Sequence, residues 1–417
     1  MTLEEQQLLS RGSAKAADAG SEQKKLSMMI IAGDISADMH VGKMLKRLRE
    51  MAPDLHIWGG LGGDCMEEAG VELMYHLRET NVFGVLNAIP VVFKIEKRKK
   101  EVVKKIFERR PDVILMVDYG AFNLAVAKMV RKKIPDQKII YFISPQVWAS
   151  RPHRIKSIAD NVTKMLVIFP FEEPLLKKCG VNARFVGHPL PQQIPDEREL
   201  MSREEFAKAH NLDPAKPIIA VLPGSRKHEI HEHLPVVLQA SKDIRYARPD
   251  VQFVISKANN DLNSLFEKAF AAARIDITAP GLVISEGRQN YNLFKNSDIV
   301  WAKSGTTTLE VTLFGKPMLV FYRGSWLEYF GVLIIKTVKN VGLPNILSGK
   351  TLVPELLQLD CRPQQFVRYT CDLLDVPGLR KEVSNELLEL TRQLGEGDYI
   401  VNCTNEVLEA LGILKGN

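Results

Sequence analysis

Residues 217–235 have the sequence PIIAVLPGSRKHEIHEHLP, and they indicate how the chain folds. The apolar run that begins at Pro217 is typical of a buried strand in a parallel sheet. The Pro-Gly-Ser turn at 223–225 follows directly and would deliver Arg226 to the edge of that sheet. A strand that ends in a tight loop before a helical segment is the repeating unit of an α/β fold.

The same stretch allows two kinds of site, one for a metal ion and one for an anion. A metal-binding helix of the H-E-x-x-H type needs histidines at i and i+4. Here the three histidines are spaced i, i+3 and i+5, so His233 turns away from the face that the other two share. The turn instead offers N–H groups, and the planar guanidinium of arginine suits bidentate phosphate binding. The stretch therefore predicts no metal site and an anion site at Gly224, Ser225 and Arg226.

Strand and helix patterns alternate along most of the chain from residue 27. The segment 187–206 is typical of a connector, and residues beyond about 365 have only helical patterns. A chain of 417 residues is also too long for one ordinary core. We therefore predict an α/β protein with two Rossmann-like domains that face each other across a cleft. The predicted parts are a flexible tail at 1–26, domains at 27–190 and 191–365, and a helical tail at 366–417 that packs back on the N-terminal domain or on a partner subunit.

The composition excludes several classes of protein. The longest apolar runs are far shorter than the ~20 residues of a membrane-spanning helix. The first 26 residues lack the basic start and apolar centre of a secretion signal. The five cysteines have no C-x-x-C spacing, which suits a reducing cytoplasm and offers no disulfide or metal framework. No G-x-G-x-x-G follows the first strand, so a nicotinamide or flavin dinucleotide is not expected.

The net charge of +6 is concentrated in one segment. Residues 93–110 contain nine Lys or Arg and three Glu, and the apolar stretch 81–92 precedes them. An apolar segment beside a basic helix can rest on an anionic membrane surface, but it can also be an ordinary solvated helix face. Nucleic acid is not an expected partner, because no aromatic side chains interleave with the charge.

A second loop at the end of a predicted strand also favours an anion. The sequence SGTTTLE at 304–310 opens a helix, where a glycine lets the backbone approach a ligand and the threonines offer hydroxyls. The glutamate lies one turn later and can accept hydrogen bonds from a ribose diol. The alternative is a helix cap with a favourable first-turn acid. The candidate residues of this loop are Ser304, Gly305, Thr306, Thr307 and Glu310.

Three loops of the N-terminal half contain candidate acceptor-side groups. In AGDISAD at 32–38, Ser36 is the expected helix cap, which leaves Asp34 and Asp38 as acids at the cleft, although capping alone would explain the serine. In VDYGAFN at 117–123, Asp118 ends an apolar strand and can be a general base or an anchor for neighbouring N–H groups. The aromatic and basic residues of FISPQVWASRPHR at 142–154 suit an acceptor site or packing.

The order and spacing of these loops resemble those of the lipid-A-disaccharide synthases, a family of inverting glycosyltransferases with the GT-B architecture. The resemblance extends from about Leu26 to Leu357 and, more loosely, into the helical tail. Its most specific segments are SPQVWA at 144–149, VGHPL at 186–190, LPGSR with EI shortly after it at 222–230, SGTTTLE at 304–310, and GLPNILSGKTLVPELLQ at 342–358.

The resemblance implies transfer of a sugar from UDP-2,3-diacylglucosamine to the 6-hydroxyl of 2,3-diacylglucosamine 1-phosphate, giving a β-1,6-linked disaccharide and UDP. It implies action at the cytoplasmic face of the inner membrane, with no redox cofactor and no required metal. Arg226 and the helix start at 305–308 would meet the diphosphate, Glu310 would hold the ribose, and Asn345 would lie near the same nucleotide. The family can pair through its C-terminal region, so the helical tail is compatible with a homodimer.

In the first domain the resemblance implies an acid that deprotonates the acceptor hydroxyl, and it favours membrane contact for the apolar and basic segment. Asp118 is the preferred candidate for the base, and Asp34 is the second. The expected acceptor-side and membrane-side residues are Asn123, Trp148, Phe83, Val92, Phe93, Lys97 and Arg98.

The chain departs from the family pattern in three acceptor-side loops. GDISAD stands where the family usually has GEASGD, so the acid is kept at Asp34 but is shorter. The second acid of the family's D-A-P-D-F-N motif, which is essential there, is Ala121, and the last residue of its VWAW motif is Ser150. One hypothesis is that Asp118 or Asp34 acts as the base. The alternatives are a related UDP-sugar transferase or epimerase with another substrate, or a catalytically silent protein that binds nucleotide or lipid.

Overall fold

The computed structural model describes residues 25–79, 88–147, 153–277, 279–287, 290–324, 340–395 and 397–415. Within these ranges, strands alternate with helices and pair in parallel, as the sequence predicts. Helices alone occupy the described residues from Pro363 onward. The predicted α/β class with a helical C-terminal region is confirmed.

The strands are short and mostly buried. Those of the N-terminal half are β1 Ser27–Ala32, β2 His56–Leu61, β3 Glu72–Leu73, β4 Val113–Val117, β5 Lys138–Phe142, β6 Lys164–Val167 and β7 Ala183–Phe185. Those of the C-terminal half are β8 Ile218–Leu222, β9 Gln252–Lys257, β10 Leu282–Glu286, β11 Ile299–Lys303, β12 Met318–Tyr322 and β13 Glu355–Leu357.

The α-helices follow most of the strands. The first seven are α1 Ile35–Met51, α2 Asp64–Glu68, α3 Ala88–Arg109, α4 Gly120–Lys133, α5 His153–Asn161, α6 Glu172–Lys178 and α7 Arg203–Ala209. The next five are α8 Lys227–Ala247, α9 Asn263–Ala273, α10 Tyr291–Asn296, α11 Thr307–Leu313 and α12 Leu343–Ser348. The last three are α13 Pro363–Asp375, α14 Leu379–Arg392 and α15 Tyr399–Leu411. Among the described residues, none of these helices combines the length and hydropathy needed to cross a bilayer.

The chain divides into two compact units. One contains Met1–Phe142, Asn161–Thr163 and Cys403–Asn417, and the other contains Ile143–Asp160 and Lys164–Asn402. In the first unit the strand order is β3-β2-β1-β4-β5, and in the second the order β10-β9-β8-β11-β12-β13 forms a six-stranded sheet. The boundary that the sequence suggests, between 190 and 191, remains a prediction.

The last residues of the chain complete the first unit. Lys138 Nζ at the start of β5 donates a hydrogen bond to the carbonyl oxygen of Ala410 at 2.6 Å. Cys403, Val407 and Leu408 of α15 are fully buried. A segment from the chain's end is therefore part of the unit that its beginning forms.

The six-stranded sheet is apolar on both faces, which explains why its strands read as continuous apolar runs. Ile219 and Val221 of β8 enter one core cluster, whereas Ile218 and Ala220 enter another on the opposite face. Since β10, β9, β8 and β11 are neighbours and parallel, their carboxyl ends lie along one edge of the sheet. The loops that follow these four strands therefore lie side by side.

Candidate active site

A cavity of about 570 Å³ lies at the carboxyl ends of β8, β9, β10 and β11. Both anion loops predicted from the sequence contribute to its wall, as expected for the switch region of an open parallel sheet. The predicted residues that line it are Gly224, Ser225, Arg226, Gly305, Thr306, Thr307 and Glu310.

A buried glutamate organises the loop after β8. Glu229 Oε2 accepts hydrogen bonds from the backbone N–H groups of Ser225 at 2.9 Å and Arg226 at 3.3 Å. Gly224 has a φ of 122°, and a Cβ there would lie 2.5 Å from the same carboxylate oxygen. Only glycine therefore allows the turn to close this tightly around the carboxylate.

The same carboxylate pairs with the lysine that ends β11. Lys303 Nζ lies 2.8 Å from Glu229 Oε1, and both side chains line the cavity. Burial acts to raise the pKa of Glu229, but the hydrogen bonds from Lys303, Ser225 and Arg226 outweigh burial and hold that pKa below its ordinary value. Glu229 is therefore ionised, and it links the two anion loops.

The loop after β11 places its hydroxyl groups in two directions. Thr306 and Thr307 line the cavity, whereas Thr308 Oγ1 donates to the carbonyl oxygen of Gly305 at 2.7 Å. Ser304 donates through Oγ to the Val341 carbonyl oxygen at 3.2 Å and is not among the lining residues. Our sequence analysis assigned Ser304 to the anion side, but the structure gives its hydroxyl a backbone partner instead.

Glu310 lies in the cavity wall one turn into α11. Burial raises the pKa of its carboxyl above the ordinary value. The pKa of Tyr291 is also raised, chiefly by burial of Tyr291 itself and to a smaller extent by the negative charge of Glu310. A half-buried carboxylate in a cavity wall can accept hydrogen bonds from hydroxyl groups. This geometry fits the ribose role that the sequence suggests.

Asn345 has a structural role that differs from the predicted one. Its side chain is 1% exposed, and Nδ2 donates to the Val353 carbonyl oxygen and to Glu355 Oε1, each at 2.8 Å. Its Oδ1 accepts from the N–H groups of Leu352 and Val353. The amide therefore holds the segment before β13 and does not line the cavity.

One histidine of the histidine-rich start of α8, His233, is bonded to backbone groups. His233 is fully buried, its Nδ1 lies 2.7 Å from the carbonyl oxygen of Pro223, and its Nε2 accepts from the N–H of Arg323 at 3.0 Å. Both ring nitrogens thus bind backbone groups, and burial lowers the pKa of this histidine. The neutral imidazole therefore holds the turn after β8 in place through its hydrogen bond with the Pro223 carbonyl oxygen.

Asp34, not Ser36, caps α1 in the first unit. Asp34 Oδ1 accepts from the N–H of Ala37 at 2.8 Å, whereas Ser36 Oγ lies 3.4 Å from His40 Nε2. Asp38 is 3% exposed and accepts from the N–H groups of Gly63, Cys65 and Met66. The expected cap is therefore wrong, and two acids that we placed at the cleft hold backbone groups.

Asp118 stands where β4 ends, in a left-handed backbone conformation with a φ of 46°. Burial raises the pKa of its carboxyl, the negative charge of Asp34 adds to the rise, and a hydrogen bond from the Tyr119 N–H opposes it. The buried amide of Asn123 donates to the Asp118 carbonyl oxygen at 2.8 Å. Asn123 therefore positions the Asp118 backbone, and the upward direction of the pKa shift makes the Asp118 carboxylate a stronger base.

The residues expected at the membrane side separate into two groups. Phe93 is 73% exposed and Lys97 is exposed beside it on α3. Arg98 is instead buried, with a guanidinium nitrogen 3.2 Å from Glu79 Oε2 and its Cζ 4.8 Å from the centre of the Tyr75 ring. Our sequence analysis assigned Arg98 to the acceptor or membrane side, and its burial excludes direct contact with a membrane surface. Phe83 and Trp148 lie outside the described residues, as does the side chain of Val92.

Comparison with known proteins agrees with this arrangement. The family model described as lipid-A-disaccharide synthetase matches residues 28–393. Lipid-A-disaccharide synthase 1 of Legionella pneumophila (strain Paris) is 35% identical, over 88% of this chain and 93% of the relative. The synthase of Geobacter sulfurreducens is 33% identical, over 94% of this chain and 99% of the relative.

The chain belongs to the lipid-A-disaccharide synthetase family. Like the other members, it is a glycosyltransferase that forms the lipid A disaccharide.

Solved structures share the fold of this lipid-A-disaccharide synthetase family member. The S. aureus MnaA structure with UDP has a TM-score of 0.62 at 12% identity, over 94% of this chain and 98% of that one. A UDP-GlcNAc 2-epimerase from Neisseria meningitidis bound to UDP-GlcNAc has a TM-score of 0.59 at 10% identity, over 92% of this chain and 100% of that one. At these identities the likeness concerns the fold alone, which is the predicted GT-B architecture.

Several residues of this synthetase cavity were missed by sequence analysis. Glu229 and Lys303 were not assigned a role, because the ion pair between them is not visible from sequence spacing. The loops after β9 and β10 were not among the predicted site loops, although the rule that ligands bind at the carboxyl ends of parallel strands applies to them as well. These loops supply Ser256, Ala258, Asn259, Gly287 and Asn290 to the cavity wall.

Proposed function

We propose that the sugar donor is UDP-2,3-diacylglucosamine and that its UDP part binds in the cavity of the second unit. The observation that supports this most is the pair of anion loops joined by Glu229 and Lys303. The Lys303 ammonium, the Arg226 guanidinium and the Thr306 and Thr307 hydroxyls supply cations and donors for a diphosphate. Glu310, in the same wall, supplies acceptors for the ribose hydroxyls.

The proposed acceptor is 2,3-diacylglucosamine 1-phosphate, and Asp118 is the proposed general base. The 6-hydroxyl oxygen forms a bond to C1 of the donor sugar, the bond from C1 to the diphosphate oxygen breaks, and UDP leaves with that electron pair. Asp118 takes the hydroxyl proton. Attack opposite the leaving group inverts C1 and gives the β-1,6 linkage. The raised pKa of Asp118 supports this assignment, because a base is most effective when its pKa approaches the working pH.

Peripheral contact with an anionic membrane surface is a further part of the proposal. The support is local to α3, where Phe93 and Lys97 are exposed on a helix with a strong excess of basic residues. An exposed aromatic side chain can enter the interface while neighbouring ammonium groups bind anionic head groups. Such contact would bring the enzyme to substrates that have acyl chains, at the inner face of the inner membrane.

UDP release tests the proposed reaction. Purified protein is incubated with UDP-2,3-diacylglucosamine, with and without 2,3-diacylglucosamine 1-phosphate, and the product is analysed by mass spectrometry. We expect acceptor-dependent UDP release and a disaccharide with four acyl chains. UDP release without that disaccharide would indicate a related transferase or epimerase, and nucleotide binding with no turnover would indicate a silent binding protein.

A further inference from the structure

The outward face of α1 begins with two large apolar side chains. Ile35 is 65% exposed and Met39 is 50% exposed. They are four residues apart, so they lie on the same face of the helix, one turn from each other. In the part of the chain that the structure describes, no other two exposed large hydrophobic residues are this close in sequence. Single exposed apolar residues are ordinary, whereas an adjacent pair on one helix face is a candidate contact surface.

The rest of this face of α1 is charged. Further along the helix, its exposed positions are Lys43, Lys46 and Glu50. The outward face of a surface helix is normally polar along its whole length, and the first two turns of this face depart from that rule. These turns follow β1 directly, so they lie at the carboxyl end of that strand, where ligands bind in open parallel sheets. The apolar surface is therefore local to the ligand-binding edge of the first unit.

The loop before the apolar pair contacts the loop that contains the proposed base. β1 and β4 are neighbouring parallel strands whose last residues are paired, so the two loops leave the sheet side by side. Gly33 packs so closely against the ring of Tyr119 that a Cβ at Gly33 would collide with it. The pKa of the Asp118 carboxyl is raised first by burial and next by the charge of Asp34, the residue before Ile35. The apolar pair therefore begins beside the group that would deprotonate the acceptor.

The start of α1 is held in place by its cap and by its buried face. Asp34 Oδ1 accepts from the N–H of Ala37 at 2.8 Å, and Ala37, Val41 and Met44 are buried on the inward face. The apolar pair thus lies on a helix whose position is fixed by packing. A side chain on such an element adds to ligand affinity with a smaller ordering cost than one on a loose segment.

The proposed acceptor has an apolar group that suits this place. Its 6-hydroxyl would lie at Asp118, and the same sugar carries two acyl chains a short distance away. An acyl chain makes no hydrogen bonds, and it gains free energy by contact with apolar surface that removes both from water. We propose that Ile35 and Met39 bind an acyl chain of the acceptor sugar. The inference rests on the proposed function and adds the residues that contact the lipid part of the acceptor.

Direct binding of the acceptor in the absence of donor tests this role. Calorimetry compares 2,3-diacylglucosamine 1-phosphate with long acyl chains and with short acyl chains, each below the concentration at which it forms micelles. The variant combines Ile35→Ser with Met39→Ser. We expect it to lose roughly tenfold in affinity for the long-chain form and to retain its affinity for the short-chain form.

The matched control is Met51→Ser, which should bind both forms as wild type does. Met51 is an exposed apolar residue of the same helix, about 24 Å further along its axis from Ile35. Met39→Ser alone keeps the test decisive if Ile35→Ser disturbs the cap, because Met39 lies one turn beyond the cap. We expect this single variant to show a smaller loss of the same kind, confined to the long-chain form.

Three results would overturn the inference. The first is an unchanged long-chain affinity in the folded double variant. The second is an equal loss for both forms, because it would indicate damage to the base loop instead of a lost acyl contact. The third is weaker binding to phosphatidylserine vesicles with unchanged affinity for the monomeric acceptor, which would assign the pair to the bilayer. If wild type binds neither form of the acceptor, the proposed function itself fails, and this inference fails with it.

Discussion

At the scale of single residues, the Glu229–Lys303 pair links the two loops that line the cavity of the second unit. Glu229 is 3% exposed and satisfies two N–H groups of the turn as well as the Lys303 ammonium. A charge this deeply buried is tolerated only while its partners remain. The pair therefore links the stability of the second unit to the geometry in which it would bind a diphosphate.

Lys303→Ala should destabilise the protein by about 3 kcal/mol, because it leaves the Glu229 carboxylate buried without its cation. The double change of Lys303→Ala with Glu229→Gln should recover at least ~1 kcal/mol of that loss, since the uncompensated charge is removed. Denaturant unfolding of the single and double variants measures both values. Additive effects of the two changes would contradict the coupling.

Asp118→Asn should lower acceptor-dependent UDP release by about 10²–10⁴-fold, because an amide cannot accept the hydroxyl proton. In wild type, kcat/KM should increase as the pH rises through the raised pKa of Asp118. It should decrease as the pH falls through that pKa, since only the ionised carboxylate is a base. Initial rates measured from about pH 4, near the ordinary pKa of a carboxyl, to about pH 8 report this profile. The control is Asp136→Asn, an exposed acid of the same unit, which should leave the rate unchanged.

At the scale of elements, sequence patterns predicted most strands and the loops that end them, since buried parallel strands read as apolar runs. Patterns did not predict which side chain would bond to which backbone group. Asp34 and Ser36 are both good caps by type, and only the turn geometry selects Asp34. Arg98 belongs to a basic run, and only its contact with Glu79 shows that it is buried.

Helix α3 should determine membrane binding. Changing Phe93 to Ser together with Lys97 to Gln should reduce binding to vesicles that contain phosphatidylserine by about tenfold, because an interfacial aromatic group and a surface cation are lost. Vesicle co-sedimentation measures this effect. Tyr246→Ser is a matched control, because Tyr246 is 91% exposed on α8. Equal binding by the α3 variant and wild type would exclude this helix as the membrane contact.

At the scale of the whole molecule, the first unit combines the two ends of the described chain. Leu408 of α15 is fully buried, and Lys138 of β5 donates to the backbone of the same helix. Leu408→Ala should therefore cost about 2–5 kcal/mol of stability, the usual range for a large-to-small change in a core. Thermal unfolding measures it, with Leu359→Ala as the control because Leu359 is 74% exposed. A similar loss of stability in both variants would contradict the assignment of α15 to the core.

The discontinuous first unit has a consequence for the order in which the enzyme matures on the ribosome. Its N-terminal strands emerge first, but helix α15, which packs in the same unit, is translated only after the second unit. Part of the apolar surface of these strands therefore remains uncovered while the entire second unit is synthesised and folds. A chain that ends before α15 lacks this cover, so its exposed apolar surface makes it a substrate for quality-control proteases.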